Sequence, residues 1–188
     1  YNCLIRDNYA PARGGGINES VAYNSTITGN TVLLHGSDNV DWSTLCNCII
    51  WNGNDSVPFQ PNIYTYSCSL YSGAGTGNIT SNPQFVGAAD FRLQAVSPCI
   101  DIGLNDSWMT DPSDIRSKDL DGNERIAPEG GIVDMGAYEY GSVPSYSTSS
   151  CSLSSISSLS SSLSSSLSSV SSSSLSSLSS LSSLSSSS

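Results

Sequence analysis

Beyond Glu139 the chain carries no charged side chain at all: its six Lys and Arg and its sixteen Asp and Glu lie at or before that residue. The net charge of −10 therefore belongs to the first 139 residues. A surface this acidic repels polyphosphates and anionic membranes, which argues against nucleic acid as a partner and leaves neutral glycans, cations or proteins. Long apolar runs are missing too, so no transmembrane segment is expected in this stretch. Histidine is nearly absent. His35 is the single one and has no Cys or Ser at a telling spacing, which argues against a zinc site or a His-activated nucleophile and for a surface turn residue. The six cysteines form no CxxC pair, and Cys46 and Cys48 are too close together for one end of a tetrahedral zinc clip. An even count fits disulfides in an oxidising compartment and equally fits buried thiols; spacing alone does not give a pairing. The Leu framework of a leucine-rich repeat is likewise missing.

What is present is a repeat. Asn2-Cys-Leu-Ile-Arg-Asp-Asn8, Asn24-Ser-Thr-Ile-Thr-Gly-Asn30 and Asn47-Cys-Ile-Ile-Trp-Asn52 share one pattern, their starts 22 and 23 residues apart. A weaker fourth copy begins at Ser67-Cys-Ser-Leu70. Short β-rich runs separated by Gly, Asn, Asp and Pro, at a period near 22, predict a solenoid of stacked coils. The fold class is therefore all-β, a right-handed parallel β-helix. Side chains alternate along a strand, so the aligned copies place Ile5, Ile27, Ile50 and Leu70 in one apolar column, with Cys3, Ser25, Cys48 and Cys68 two residues before them on the same face. That face is the expected core. The opposite face, with Trp51 and Tyr71, is expected to point outward. Asn2, Asn24 and Asn47 are expected to form one hydrogen-bonded asparagine ladder along the stack, and Asn8 and Asn30 another.

The period covers residues 1–70 and breaks over 71–141, which is rich in Gly, Asp and Pro. An open end of a coil stack presents unpaired strand edges, so this stretch is expected to cap the last coil. Residues 142–188 are Ser with Leu, Ile or Val every three to five positions, a low-complexity tail or linker with a weaker alternative as an amphipathic helix. Because Tyr1 opens directly on a repeat, further coils and an export signal are expected upstream.

The cap region carries longer strings: Asn82-Pro-Gln-Phe-Val86, Asp90-Phe-Arg-Leu-Gln-Ala-Val-Ser-Pro-Cys-Ile-Asp-Ile-Gly103, Asp119-Leu-Asp-Gly-Asn-Glu-Arg125 and Val133-Asp-Met-Gly-Ala-Tyr-Glu-Tyr140. These resemble the C-terminal region of bacterial right-handed β-helix repeat surface proteins of the choice-of-anchor Q type, over residues 1–141. The resemblance implies export, a β-helix and a secreted or cell-surface location. It implies no particular reaction and carries over no catalytic residue. The tail departs from a sorting signal: it has no LPxTG-like motif and no basic end.

Candidate sites follow from chemistry. Trp51 and Tyr71, on the outward column, are candidate ligand-binding residues, because exposed rings stack on sugar faces; packing of the cap is the duller alternative. Asp119, Asp121 and Asn123 alternate around Gly122 like the opening of a calcium loop, but position twelve of such a loop falls on Gly130, so a structural turn competes with a calcium site. Calcium is the sole cofactor considered. Among the coils, Asp7, Glu19, Asp38, Asp41 and Asp55, with Arg6 and Arg13, are the catalytic raw material, and no two of the acids share a column. No catalytic centre is assigned here. The expected function is adhesion or carbohydrate binding, with a polysaccharide or host-surface glycan as partner. The alternatives are a polysaccharide lyase or glycoside hydrolase whose groove lies mostly upstream, and a purely structural stalk.

Overall fold

The computed structural model describes residues 1–34, 37–53, 62–71, 75–126 and 130–141. His35, Asp55 and the Ser/Leu-rich stretch 142–188 lie outside them. The strands are two or three residues long: β1 (Leu4–Arg6), β2 (Tyr9–Ala10), β3 (Ile17–Asn18), β4 (Val21–Tyr23), β5 (Thr26–Thr28), β6 (Thr31–Val32), β7 (Val40–Asp41), β8 (Thr44–Cys46), β9 (Ile49–Trp51), β10 (Ile63–Thr65) and β11 (Cys68–Ser69). Each pairs in parallel with the equivalent strand one coil away. The result is a main sheet β1-β5-β9-β11, a second sheet β4-β8-β10 and two short sheets, β2-β6 and β3-β7. This is a parallel β-helix.

Single left-handed residues turn the corners. Asn2, Asn24, Asn47 and Tyr66, with φ between 46° and 53°, stack at the junction between the second and main sheets. Asp7, Gly29 and Asn52 stack after the main-sheet strands, and Glu19 and Trp42 at a third corner. Asn, Asp and Gly tolerate this conformation best, which explains their recurrence in register. The ladders follow from it. Asn47 Nδ2 donates to Asn24 Oδ1 at 2.9 Å. Asn2 joins through Arg125, whose guanidinium donates to both Asn2 Oδ1 and the Asn24 carbonyl. In the second ladder Asn8 Nδ2 donates to Asn30 Oδ1, and Asn30 Nδ2 donates to Asn39 Oδ1, each at 3.0 Å. Asn39 extends the expected pair by one member.

The interior of the coils is apolar: Ala22, Ile27, Val40, Leu45, Cys48, Ile50 and Tyr64, flanked by Ile5 and Ile17. The column Ile5–Ile27–Ile50 lies in register as expected. Its fourth member does not. Cys68 pairs with Ile49 and Ser69 with Ile50, one residue off the expected alignment, and Leu70 is 55% exposed. The cause is the fourth corner, where Tyr66 rather than Ser67 takes the left-handed turn. Tyr66 donates its N–H to the Thr76 carbonyl, and its ring lies where a Cβ on Gly77 would stand.

The opposite face of the main sheet differs from expectation as well. It is not an outer surface. Thr26, Thr28 and Ile49 are buried there beneath residues 91–137, and Ile49 and Cys68 pack with Leu93, Cys99 and Met135 into a second core. Gly136 makes the close approach feasible: at φ +100° it donates its N–H to the Asn47 carbonyl, and a Cβ would stand 2.8 Å from Ile49 Cδ1. Beside it Ala137 N–H donates to Thr26 Oγ1. A parallel sheet covered on both faces has no polar alternation to read, hence the Ile49-Ile50 run.

Candidate functional site

With the main sheet covered, the second sheet keeps an open outer face. Ala22, Leu45 and Tyr64 point into the coils. Strand alternation turns Val21, Thr44 and Ile63 outward as one row and Tyr23, Cys46 and Thr65 as another. The short 3-10 helix Ser107–Thr110 borders this face. Between them lies a cleft of about 300 Å3, lined among others by Tyr23, Thr44, Cys46, Thr65, Asp106 and Trp108. A second, shallower cleft of about 350 Å3 continues from Thr44 to Val21, Trp42, Glu19 and Ser20.

Rigidity is built into the aromatic wall. Tyr1 stacks on Tyr23 with ring centroids 4.8 Å apart and meets Trp108 edge-on at 5.4 Å. The Arg116 guanidinium sits 5.0 Å from the Tyr1 ring centre and 5.1 Å from that of Trp108. Asp114 pairs with Arg116 at 2.6 Å and holds it there. The Asp106 carboxylate caps the 3-10 helix by accepting from Ser107 N–H, which fixes the entry of Trp108 into the cleft. Burial, the largest influence, raises the pKa of the Cys46 thiol, which keeps it a neutral wall group. Two oriented rings, two threonine hydroxyls and one carboxylate make an amphipathic groove of the kind that fixes a small polar ligand by stacking and a few hydrogen bonds.

The residues singled out in the sequence lie elsewhere. Trp51 is half-buried and packs against the core formed with the cap. Tyr71 is 43% exposed, two residues beyond β11, and lines none of the clefts described here. Asp119, Asp121 and Asn123 do come together, as one turn. Asp119 is buried and accepts four hydrogen bonds, from the N–H groups of Asp121, Asn123 and Glu139 and from Asn123 Nδ2. Both oxygens of Asp121 meet the Arg92 guanidinium. Among the described residues no group of three or more His, Cys, Asp or Glu is placed to hold a metal ion. Of the coil acids, Asp38 accepts from Val32 N–H, Asp41 is buried, and Asp7 lies beside Arg6 at the surface. Tyr23, Asp106 and Trp108 were not singled out. Tyr23 had a usable signal, since it directly precedes a ladder Asn. Trp108 stands 85 positions further on and reaches Tyr23 only through the tertiary fold.

A buried ionic cluster holds the cap in place beside this face. Arg125, fully buried, donates to Glu139 Oε1 at 2.8 Å and to the Gly136 and Ala137 carbonyls. Burial pushes the Glu139 carboxyl up to about 8 against the pull of Arg125. Burial likewise pushes Asp134 up to about 6, although it accepts from the Tyr140 and Asp101 N–H groups. Both carboxyls bind a proton more tightly folded than unfolded, so their contribution is complete below pH ~4 and is lost as pH rises through 6 to 8. From Asp134 alone the loss is on the order of 3 kcal/mol. The melting temperature is therefore expected to fall between pH 5 and pH 8.5. The carboxyls with lowered pKa, Asp111 and Asp114, act below that window. A melting temperature that is flat or rises over this range would show that these carboxyls are ionised at no cost in the fold.

The chain matches no protein-family model, no curated protein and no solved structure.

Proposed function

We propose that this β-helix is a carbohydrate-binding module of an exported or cell-surface protein, and that the groove between Tyr23 and Trp108 is its sugar site. The observation that carries the reading is the pair of pinned aromatic rings facing Thr44, Thr65 and Asp106 across the outer face of the second sheet. Rings take the apolar face of a pyranose, and hydroxyls and a carboxylate take its equatorial hydroxyls. The acidic surroundings favour neutral or amino sugars over uronates. A single carboxylate lines the groove, whereas glycoside hydrolysis commonly works with two across the scissile bond, so binding is favoured over cleavage. The strings between Asn82 and Tyr140 support kinship with choice-of-anchor Q surface proteins and, with it, display outside the cell.

The test is an array of neutral and amino-sugar oligosaccharides probed with the full chain, followed by titration of the best ligand. Trp108→Ala is expected to weaken binding at least tenfold, roughly the loss of one stacked ring and its contacts. Tyr71→Ala, outside the groove, is expected to leave binding unchanged. Loss with Tyr71→Ala and not with Trp108→Ala would move the site to the outer aromatic column. No ligand on the array would leave a structural stalk as the better account.

A further inference from the structure

We infer that Cys68 and Cys99 form a redox-controlled disulfide clasp between the last strand of the main sheet and the segment that covers it. Cys68 lies in β11 and Cys99 in the covering segment, 31 positions later. Both are completely buried in one apolar cluster with Ile49, Leu93 and Met135, where the Cys68 thiol donates to the Ser81 carbonyl at 3.2 Å and is close enough to the Cys99 thiol to raise its pKa. Backbone bonds hold both ends: Cys68 N–H donates to the Cys48 carbonyl, and Met135 N–H donates to the Cys99 carbonyl. The other described thiols lead elsewhere. Cys48 Sγ points into the coil toward the Ala22 and Cys46 carbonyls, Cys46 faces the groove, and Cys3 is exposed.

The chemistry is thiol–disulfide exchange with a disulfide oxidant such as oxidised glutathione or an oxidised dithiol oxidoreductase. The thiolate of one cysteine attacks the oxidant, forms a mixed disulfide and releases one thiol. The thiolate of the second cysteine attacks the protein sulfur of that mixed disulfide, closes the Cys68–Cys99 bond and releases the second thiol. Two protein thiols lose two protons and two electrons, and one oxidant disulfide becomes two thiols. Timing follows from burial. The contact with Cys68, and then desolvation, hold the Cys99 thiol far above the ordinary range, so little thiolate exists once the segment has docked. The bond therefore forms while the covering segment folds down, and the docked, reduced pair resists later oxidation.

The full chain is refolded in a glutathione redox buffer and in reductant. Each sample is then blocked with iodoacetamide under denaturing conditions and digested. From the oxidised sample, mass spectrometry is expected to find the Cys68 and Cys99 peptides joined, 2 Da lighter than their sum and separated by reductant. That sample is expected to melt roughly 10 °C above the reduced one. A Cys3→Ser/Cys151→Ser variant, altered at no buried described site, is expected to keep the same link. Recovery of both peptides in alkylated form from the oxidised sample would overturn the proposal. Linkage of either cysteine to Cys46 or Cys48 would do so equally.

Discussion

Arg125→Ala is expected to destabilise the folded domain by about 3–5 kcal/mol, the range for breaking a buried ion pair by removing one partner. Arg125 is the largest fully buried side chain described, and its bonds reach three separate parts of the chain. They hold the first coil at Asn2 Oδ1, the second at the Asn24 carbonyl, and the covering segment at Gly136, Ala137 and Glu139. Alanine takes the donor from three backbone carbonyls, Asn2 Oδ1 and Glu139 Oε1 in a dry site, and Glu139, which keeps the Asp134 N–H, loses the larger of the pulls that lower its pKa. Lysine is not expected to rescue, because a single ammonium cannot reach acceptors spread around a planar fork. Arg125→Met combined with Glu139→Gln removes both charges and is expected to recover part of the loss. Urea unfolding of the three variants above pH ~8.5, where Glu139 is ionised, is the measurement. A midpoint for Arg125→Ala within experimental error of the parent would mean that water replaces the guanidinium freely, contrary to its burial.

Ile27→Asp is expected to abolish cooperative folding of the coils, seen as loss of the β signal in circular dichroism. Ile27 is fully buried at the centre of the inner column, between Ile5 and Ile50. A carboxyl there has no donor designed for it and must be protonated or hydrated, at a cost of several kcal/mol on top of the lost packing. Leu70→Asp is the informative partner. The repeat alignment puts Leu70 in the same column, whereas the fold leaves it exposed, so this change is expected to cost no more than about 0.5 kcal/mol. Equal damage from both substitutions would restore the simple alignment for the fourth coil.

That contrast marks how far the sequence could be read. Three coils were legible because their corners require left-handed residues, and Asn2, Asn24 and Asn47 advertise the requirement at intervals of 22 and 23 residues. The fourth was misplaced by one residue because Tyr66 meets the same requirement without belonging to the residue types that usually do; its ring packs over Gly77, and no local pattern reveals that. The inner column was legible from Ile5, Ile27 and Ile50. The burial of the outer face was not, since Thr26 and Ile49 are covered by Ala137, Gly136 and Met135, about 90 to 110 positions away. The same distance hid the groove. Trp51 carried the aromatic signal in the repeat and went into packing, while Tyr23 shares its groove with Trp108, which comes from a segment with no repeat at all. Asp119, Asp121 and Asn123 were legible as a unit, because alternating acceptors around a Gly are what both a metal loop and a tight turn look like.

The covering segment lies along the side of the coils, and it touches them at fixed heights. Arg116 and Lys118 accept from Asn2 through their carbonyls, Ala137 addresses Thr26, and Leu104 and Gly136 address Asn47. Each coil adds about 4.8 Å along the axis. Inserting one whole coil between Asn2 and Asn47 would carry some of these partners beyond hydrogen-bond reach while leaving others in place. Repeat proteins ordinarily gain and lose length by whole units, but here the flanking segment acts as a gauge that forbids it over these coils. Length change within this stretch is expected instead inside a coil, beside Leu33 and Leu34, whose side chains already stand in solvent.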